Sequence, residues 1–233
     1  MSVTYADKPW LQQYDEGVPE RIEVPDYPLQ EFLKSSAKKF PDETAIIFKG
    51  HKINYRELDA LTDAIAAGLA ANGFQKGDRA AIYMPNTPQF VITYYGILKA
   101  GGIVVAVNPL YTERELEHQL RDCGADTVFV LSLYYDQLKR VHKAGNTQVR
   151  RIIVSNVKEY FPAPLKLLFT LVKEKKDGHR VTLETGDVWF QDFVDAGRQL
   201  PAPDVSVSGD DTALLQYTGG TTGLAKGAIG LHR

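Results

Sequence analysis

Short apolar runs alternate with helical patterns along most of the chain. The runs of strand length are RAAIYM, GIVVAVN, DTVFVL, RRIIVS and TALLQY. Between them, apolar residues recur every three or four positions in segments such as TPQFVITYYGILKAG and TERELEHQLRDCG, as on one face of a helix. Strands alternating with helices of this length are typical of a parallel sheet covered by helices. The pattern therefore predicts an α/β fold, layered, with a largely parallel sheet flanked by helices.

Two further elements precede the alternating region. The segment DYPLQEFLKSSAKKF places Leu29, Phe32 and Leu33 on one helical face and ends before Pro41. The runs TAIIF and INY flank the turn-rich residues KGHK, which favours a β-hairpin. We therefore expect a helix and a hairpin on the amino-terminal side of the sheet.

Three helices carry start signals. Asn54 with Glu57, and Thr112 with Glu115, have the spacing of a capping box, in which two side chains satisfy free backbone N–H groups reciprocally. Thr87 stands immediately before a proline, which predicts an N-cap followed by a first-turn proline. No internal repeat or low-complexity linker divides the chain.

Composition narrows the class of protein. The 233 residues are 44% hydrophobic and 24% charged, as in ordinary globular proteins. The net charge of −2 gives no field suited to nucleic acid, so no nucleic-acid partner is expected. A single cysteine, Cys123, excludes an intrachain disulfide and favours a reducing compartment. No apolar run approaches the ~20 residues of a membrane-spanning helix, and no secretory signal opens the chain. We expect a cytoplasmic protein.

A glycine-rich loop follows the strand TALLQY, where the chain reads YTGGTTGLAKGA. Glycines leave room for an anion, and consecutive amides in such a turn form a nest of N–H donors. Threonine hydroxyls add donors and a lysine adds positive charge. The expected ATP phosphate-binding residues are Tyr217, Thr218, Gly219, Gly220, Thr221, Thr222, Gly223 and Lys226.

Other kinds of site fit the sequence poorly. The loop differs from a Walker A motif because Lys226 lies three residues beyond Gly223 and is followed by glycine. The five histidines lack the close spacing of a zinc site, and no Gly-x-Ser-x-Gly elbow is present. His118 and His142 are interpreted as packed or polar-face residues of amphipathic helices. The plain structural alternative for the loop is a glycine turn without a ligand.

The loop and two upstream segments together resemble the adenylate-forming superfamily, which includes acyl-CoA and aryl-CoA ligases, peptide-synthetase adenylation domains and luciferases. The segments INYRELDALTDAIAAGLAANG and ILKAGGIVVAVNPLYTERELEHQLRDCGAD resemble that family's early helix and its Lys-Ala-Gly segment. The segment NPLYTERELEHQL is most similar to bacterial long-chain fatty acid–CoA ligase sequences, as is Ala225, where many relatives carry proline. The resemblance implies that residues 1–233 are the amino-terminal portion of an AMP-binding (adenylation) domain, incomplete without the rest of a larger protein.

The resemblance also implies a two-step reaction. A fatty-acid carboxylate attacks the α-phosphate of Mg²⁺-bound ATP, and the thiol of coenzyme A then displaces AMP. Thr218 to Gly223 and Lys226 would hold the β- and γ-phosphates. The catalytic residues and the metal-binding carboxylates are expected downstream of Arg233, so no metal site is expected in this chain and the chain alone is expected to be inactive.

Two alternatives and one departure stay open. The protein could instead be an aryl-CoA or medium-chain acyl-CoA ligase, or a non-catalytic nucleotide-binding module. The chain departs from its relatives at residues 229–233, where Gly230 would weaken a strand. The role of these last residues is left open.

Residues 156–203 are less regular and contain the amphipathic segment FPAPLKLLFTLVKEKK, from Phe161 to Lys176. Its predicted apolar face consists of Leu165, Leu168, Phe169 and Val172, with Lys166 and Lys173 towards the other side. Such a helix can lie in a membrane interface, which would suit a peripheral contact with the inner face of the membrane. The alternative is a helix packed on the domain. Sheet edges without partner strands would favour a homodimer.

Overall fold

The structure, a computed structural model, describes residues 5–218 and 225–233. Its strands are β1 (Thr44–Phe48), β2 (His51–Asn54), β3 (Arg79–Tyr83), β4 (Ile103–Ala106), β5 (Thr127–Leu131), β6 (Arg151–Ser155), β7 (Val188–Trp189), β8 (Thr212–Thr218) and β9 (Lys226–Leu231). Its α-helices are α1 (Gln30–Lys39), α2 (Tyr55–Ala71), α3 (Pro88–Lys99), α4 (Glu113–Cys123), α5 (Tyr135–Lys143), α6 (Ala163–Leu168) and α7 (Phe190–Gly197). Short 3-10 helices span Tyr5–Asp7, Pro9–Gln13, Ser132–Tyr134 and Val157–Tyr160.

Seven strands form one sheet in the order β7-β6-β5-β3-β4-β8-β9. Every neighbouring pair is parallel except β8 and β9, which are antiparallel. The predicted α/β fold with a largely parallel sheet is therefore confirmed. Because β3, β4, β5 and β8 run in the same direction, their carboxyl ends meet at one edge of the sheet. Self-association through an outer strand stays a prediction.

Helices cover both faces of this sheet. Ala80 and Ile82 of β3 belong to a core with α2, α3 and α7, whereas Ala81 and Tyr83 belong to a second core with α4 and α5. This alternation follows from the opposite directions of successive side chains in a strand. With both faces buried, all five residues of β5 are buried, and the four that follow Thr127 are apolar. The edge formed by the strand ends is then the place open to a ligand.

The hairpin prediction is confirmed by β1 and β2, which pair antiparallel in a separate two-stranded sheet. Phe48 pairs with His51, so only Lys49 and Gly50 form the turn. Both have positive φ, 52° and 89°, as in the two-residue turn whose twist matches the flanking strands. Lysine is an unusual residue in the first of these positions, where glycine, asparagine and aspartate are preferred.

The three predicted helix starts have different outcomes in the structure. The Thr112–Glu115 capping box is present in full. For α2, Asn54 Oδ1 accepts a hydrogen bond from the Glu57 amide at 2.8 Å, but the reciprocal half is not formed among the described residues. Thr87 is the N-cap residue of α3 and is followed by Pro88 in the first turn, as predicted. Its side chain makes no cap hydrogen bond, and its hydroxyl donates to the Met84 sulfur at 3.8 Å. The full box at α2 was therefore wrong, and the start of α3 at Thr87 and Pro88 is confirmed.

The predicted apolar face of α1 is partly wrong. Leu33 is buried and Leu29 packs on the same core, but Phe32 is 45% exposed. The Phe32 ring lies 5.0 Å from the Tyr27 ring instead. The buried face of α1 is centred on Gln30 and Leu33 instead.

Strand β7 and helix α7 were not predicted within residues 156–203. Helix α7 buries Phe190, Phe193, Val194 and Gly197, whose spacing is that of one helical face. This spacing of apolar residues could have predicted the helix from the sequence. The helix lies close to α2, since a Cβ added to Gly197 would be 2.0 Å from the carbonyl oxygen of Ala64.

The last residues have a structural role that the sequence left open. Strand β9 runs through Gly230, which pairs with Leu214, so the expected weakening does not end the strand. A Cβ at Gly230 would lie 3.0 Å from Leu214 side-chain carbons. His232 is buried, and its Nδ1 accepts a hydrogen bond from the Leu29 amide at 3.2 Å. Burial lowers the pKa of His232, which keeps the ring neutral and able to accept.

The amphipathic segment is divided between the core and the surface. Helix α6 continues into a π-helical turn, Phe169–Lys173. Phe169 is buried, with its ring 5.4 Å from that of Phe161, whereas Leu168 and Val172 are exposed. All four residues of the predicted apolar face, Leu165, Leu168, Phe169 and Val172, line one cavity of about 500 Å³. They therefore share one face, of which only Phe169 is buried. No helix within 5–218 or 225–233 is long and apolar enough to cross a membrane.

Candidate functional site

The two arms of the glycine-rich loop meet at the carboxyl edge of the sheet. Strand β8 lies parallel to β4 and ends at Thr218. Strand β9 begins at Lys226, which pairs directly with Thr218. The loop is thus closed at its base, at the edge where open α/β sheets bind ligands.

The structure brings together three of the predicted phosphate-binding residues, Tyr217, Thr218 and Lys226. The other five, Gly219, Gly220, Thr221, Thr222 and Gly223, lie outside the described residues. Lys226 is exposed and forms no ion pair within the described part of the chain. Its ammonium is therefore available to an anionic ligand.

Tyr217 is fixed through its side chain. It is buried, and its Oη donates a hydrogen bond to Asp122 Oδ2 at 2.5 Å. Burial, together with this bond, raises the pKa of Tyr217 well above its ordinary value. The hydroxyl therefore keeps its only proton, which is directed at Asp122. Any contact between Tyr217 and a phosphate would have to come from the backbone.

A cavity of about 460 Å³ lies beside the loop base. It is lined by residues 84–86, 106–109 and 216–217 together with Phe90 and Tyr111. Its volume is in the range of small-molecule sites, roughly 300–1,000 Å³. The sequence analysis missed Asn86, Asn108 and Gln216, which lie at or just after the carboxyl ends of β3, β4 and β8. The positions of these three residues relative to the predicted strand ends could have identified them from the sequence.

The loop after β4 is fixed by a short hydrogen-bond chain. Tyr83 Oη donates to Gln137 Oε1 at 3.0 Å, and Gln137 Nε2 donates to the Tyr111 carbonyl at 2.7 Å. Burial raises the pKa of Tyr83 to about 12. Its hydroxyl therefore stays protonated at neutral pH and can serve as the donor. This chain holds the wall of the cavity from the side of α5.

Among residues 5–218 and 225–233, no group of three His, Cys, Asp or Glu side chains converges. What the arrangement can do is bind an anion at the loop base with an adjacent cavity for the remainder of a ligand.

Comparison with known proteins identifies the family. The family model described as AMP-binding enzyme matches residues 33–233. The chain belongs to this family. Among curated members, a long-chain-fatty-acid–CoA ligase of Bacillus subtilis is 42% identical over 98% of this chain. One of Yersinia pestis is 40% identical over 97% of the chain. The chain spans about 40% of the length of these relatives.

Solved structures of AMP-binding enzymes share the fold. A long-chain-fatty-acid-CoA ligase from Archaeoglobus fulgidus matches with a TM-score of 0.72 and 28% identity. That match covers 94% of this chain and 39% of the solved one. An anthranilate CoA ligase in complex with anthranoyl-AMP matches with the same TM-score at 21% identity, covering 90% of this chain and 36% of that one. At 21% identity, the match to the anthranilate CoA ligase indicates a shared fold only.

Proposed function

We propose that the protein to which this chain belongs is a long-chain fatty acid–CoA ligase that uses ATP, Mg²⁺ and coenzyme A. The observation that carries this proposal is 42% identity to such a ligase over nearly the whole chain. The position of the loop arms beside a cavity at the sheet edge supports it independently. The proposed location is the cytoplasm, which a single buried cysteine fits.

In the first step, a carboxylate oxygen of the fatty acid attacks the α-phosphorus, and the bond from that phosphorus to the bridging oxygen breaks. Pyrophosphate leaves with the electron pair. Lys226, with the amides and hydroxyls of the loop, is proposed to hold the β- and γ-phosphates and to stabilise the charge on the leaving group. In the second step, the coenzyme A sulfur attacks the acyl carbon, and AMP leaves.

The test uses the full-length protein with Lys226→Ala, Lys226→Arg and the exposed control Lys38→Ala. Loss of a charged hydrogen bond costs about 1.5–3 kcal/mol, which corresponds to a roughly 10- to 100-fold lower kcat/KM for pyrophosphate release. Arginine should restore part of the rate, and the control should match the parent. A Lys226→Ala enzyme with the parent's kcat/KM would refute the role of Lys226.

Substrate comparison separates the alternatives. Long-chain, medium-chain and aromatic acids are supplied in turn, and pyrophosphate release and thioester formation are measured. Preference for a long-chain acid is the expected result. Preference for an aromatic or medium-chain acid would replace the proposed substrate, and no release with any acid would indicate a non-catalytic nucleotide-binding module.

We also propose that residues 161–176 contact a membrane surface. Leu167, Leu168, Leu171 and Val172 are each more than half exposed, which is unusual for four apolar side chains so close in the chain. Lysines at 166, 173, 175 and 176 are exposed beside them, as suits an anionic lipid surface. Leu168 and Val172 belong to the predicted face, and Leu167 and Leu171 extend the exposed apolar surface beside it.

Co-sedimentation with vesicles of anionic or neutral lipid tests this contact. Leu167→Glu with Leu171→Glu should abolish binding to anionic vesicles. Ile22→Glu with Val24→Glu changes two other exposed apolar residues and should leave binding intact. Equal binding by parent and both variants would contradict the proposal.

A further inference from the structure

Helix α4 contacts both arms of the glycine-rich loop from one face. His118 and Asp122 are four residues apart and therefore neighbours on the helix surface. His118 Nε2 lies 3.1 Å from the carbonyl oxygen of Ala225, and Asp122 Oδ2 accepts the Tyr217 hydroxyl at 2.5 Å. Tyr217 precedes the loop and Ala225 follows it. One turn of helix thus tethers the entry and the exit of the same loop.

We propose that His118 and Asp122 are positioning residues for the phosphate-binding loop. They set the separation and direction of its two arms and need not touch the nucleotide. This inference rests on the proposed function of the loop. It goes beyond the sequence interpretation of His118 as a packed residue, because packing alone does not require a polar contact with a loop arm.

The chemistry of the contact with Ala225 defines the state of the His118 ring. A carbonyl oxygen only accepts, so Nε2 must carry the hydrogen and donate it. His118 Nδ1 is buried and has no hydrogen-bond partner in the described residues. The ring is therefore held as the Nε2–H form and makes a single directed bond. Glutamine can present an amide N–H at nearly the same place, whereas leucine fills the space without a donor.

Helix α4 is itself anchored, which a positioning element requires. Its first turn is fixed by the Thr112–Glu115 capping box. Gln119 Nε2 donates to the Ala106 carbonyl, at the end of β4, at 2.9 Å. The helix therefore fixes the loop arms relative to the edge of the sheet. It also keeps the loop arms in register with the cavity, which Ala106 helps to line.

The exit arm is braced by packing as well as by the bond from His118 to Ala225. A Cβ at Gly227 would lie 3.0 Å from the Tyr217 ring, so the ring crosses directly over the opposite arm. With both arms tethered, the described residues on either side of the loop enter the nucleotide complex already in place. Pre-ordering removes part of the entropy cost of binding. Loss of either tether should therefore weaken ATP binding more than it lowers the rate of the bound complex.

The experiment uses the full-length protein with His118→Leu, His118→Gln, Tyr217→Phe and the double variant His118→Leu with Tyr217→Phe. His142→Leu, on α5, is the matched histidine control. Steady-state pyrophosphate release gives KM for ATP and kcat separately. Each lost bond is expected to raise KM for ATP about three- to tenfold, with a smaller change in kcat. Glutamine at position 118 should restore most of the affinity.

A second readout does not depend on activity. Lys226 is exposed at the start of β9, so trypsin cleavage after Lys226 reports the order of the loop arms. Cleavage should accelerate in His118→Leu and Tyr217→Phe relative to cleavage elsewhere in the same protein. It should stay at the parent rate in His142→Leu and return towards that rate in His118→Gln.

The outcomes separate this inference from the function it rests on. If no acid supports pyrophosphate release but His118→Leu accelerates cleavage, the tether stands and the proposed function fails. If KM for ATP and the cleavage rate are unchanged in both single variants, the positioning role is overturned. An equal change in His142→Leu would overturn it too, because the effect would then be a general loss of stability.

Discussion

Helices α2 and α7 meet where a glycine faces an aromatic ring. A Cβ added to Gly68 would lie 2.7 Å from Phe193 Cε1 and 2.9 Å from Cζ. The closer distance is about 0.7 Å short of the 3.4 Å at which ordinary contact begins. Alanine in a helix interior is favoured over glycine by about 1 kcal/mol, whereas overpacking costs about 1–3 kcal/mol. We therefore expect Gly68→Ala to lower the free energy of unfolding by about 1 kcal/mol.

The sign should reverse when the ring is shortened. Leucine at position 193 ends at its δ carbons and removes the two atoms that crowd Gly68. In a Phe193→Leu background, Gly68→Ala should raise the free energy of unfolding by about 0.5–1 kcal/mol, since only the helix preference remains. The coupling between the two positions is then about 1–2 kcal/mol, within the range for residues in contact.

Urea unfolding of the parent, both single variants and the double variant measures this cycle, with far-ultraviolet circular dichroism as the signal. Gly197→Ala is the informative control, because its Cβ would meet the Ala64 backbone and Phe193→Leu should not relieve it. If Gly68→Ala stabilises the parent and the Phe193→Leu protein equally, the assigned clash does not exist.

Three other predictions concern buried polar groups. Burial raises the pKa of Glu159 to about 7, so its contribution to stability is present below about pH 4.5 and lost as pH rises towards 7. Glu159→Gln should remove at most about 3 kcal/mol of that pH dependence in urea unfolding, and an unchanged slope would contradict it. The Cys123 thiol is 1% exposed and burial raises its pKa to about 11, so a thiol reagent should label it only as urea unfolds the chain. Rapid native labelling would contradict this. Lys99 Nζ donates to Asp59 and Asp63, each at 2.6 Å. Because these carboxylates are partly exposed, Lys99→Met should cost about 2 kcal/mol, below the 3–5 of a fully buried pair. The exposed control Lys175→Met should stay within about 0.5 kcal/mol, and equal costs for the two variants would refute the pairing.

The sequence alone determined features that depend on neighbours in the chain. The period of apolar residues predicted five of the sheet strands and the helices between them, because that period follows from backbone geometry. The Thr112–Glu115 box was readable because both partners belong to one helical turn. The glycine-rich loop and the two upstream motifs pointed to the family for the same reason, since each is a local pattern.

Only the tertiary structure decided contacts between distant segments. His232 accepts from Leu29 across 203 positions, and Tyr217 reaches Asp122 across 95. No local pattern encodes such pairs, because they depend on strand order and on which helix covers which strand. The Phe32 ring and the Thr87 hydroxyl show the same dependence: their surroundings, not their propensities, decided what each side chain contacts. The contact between His118 and Ala225 likewise depends on the packing of α4 beside β8 and β9.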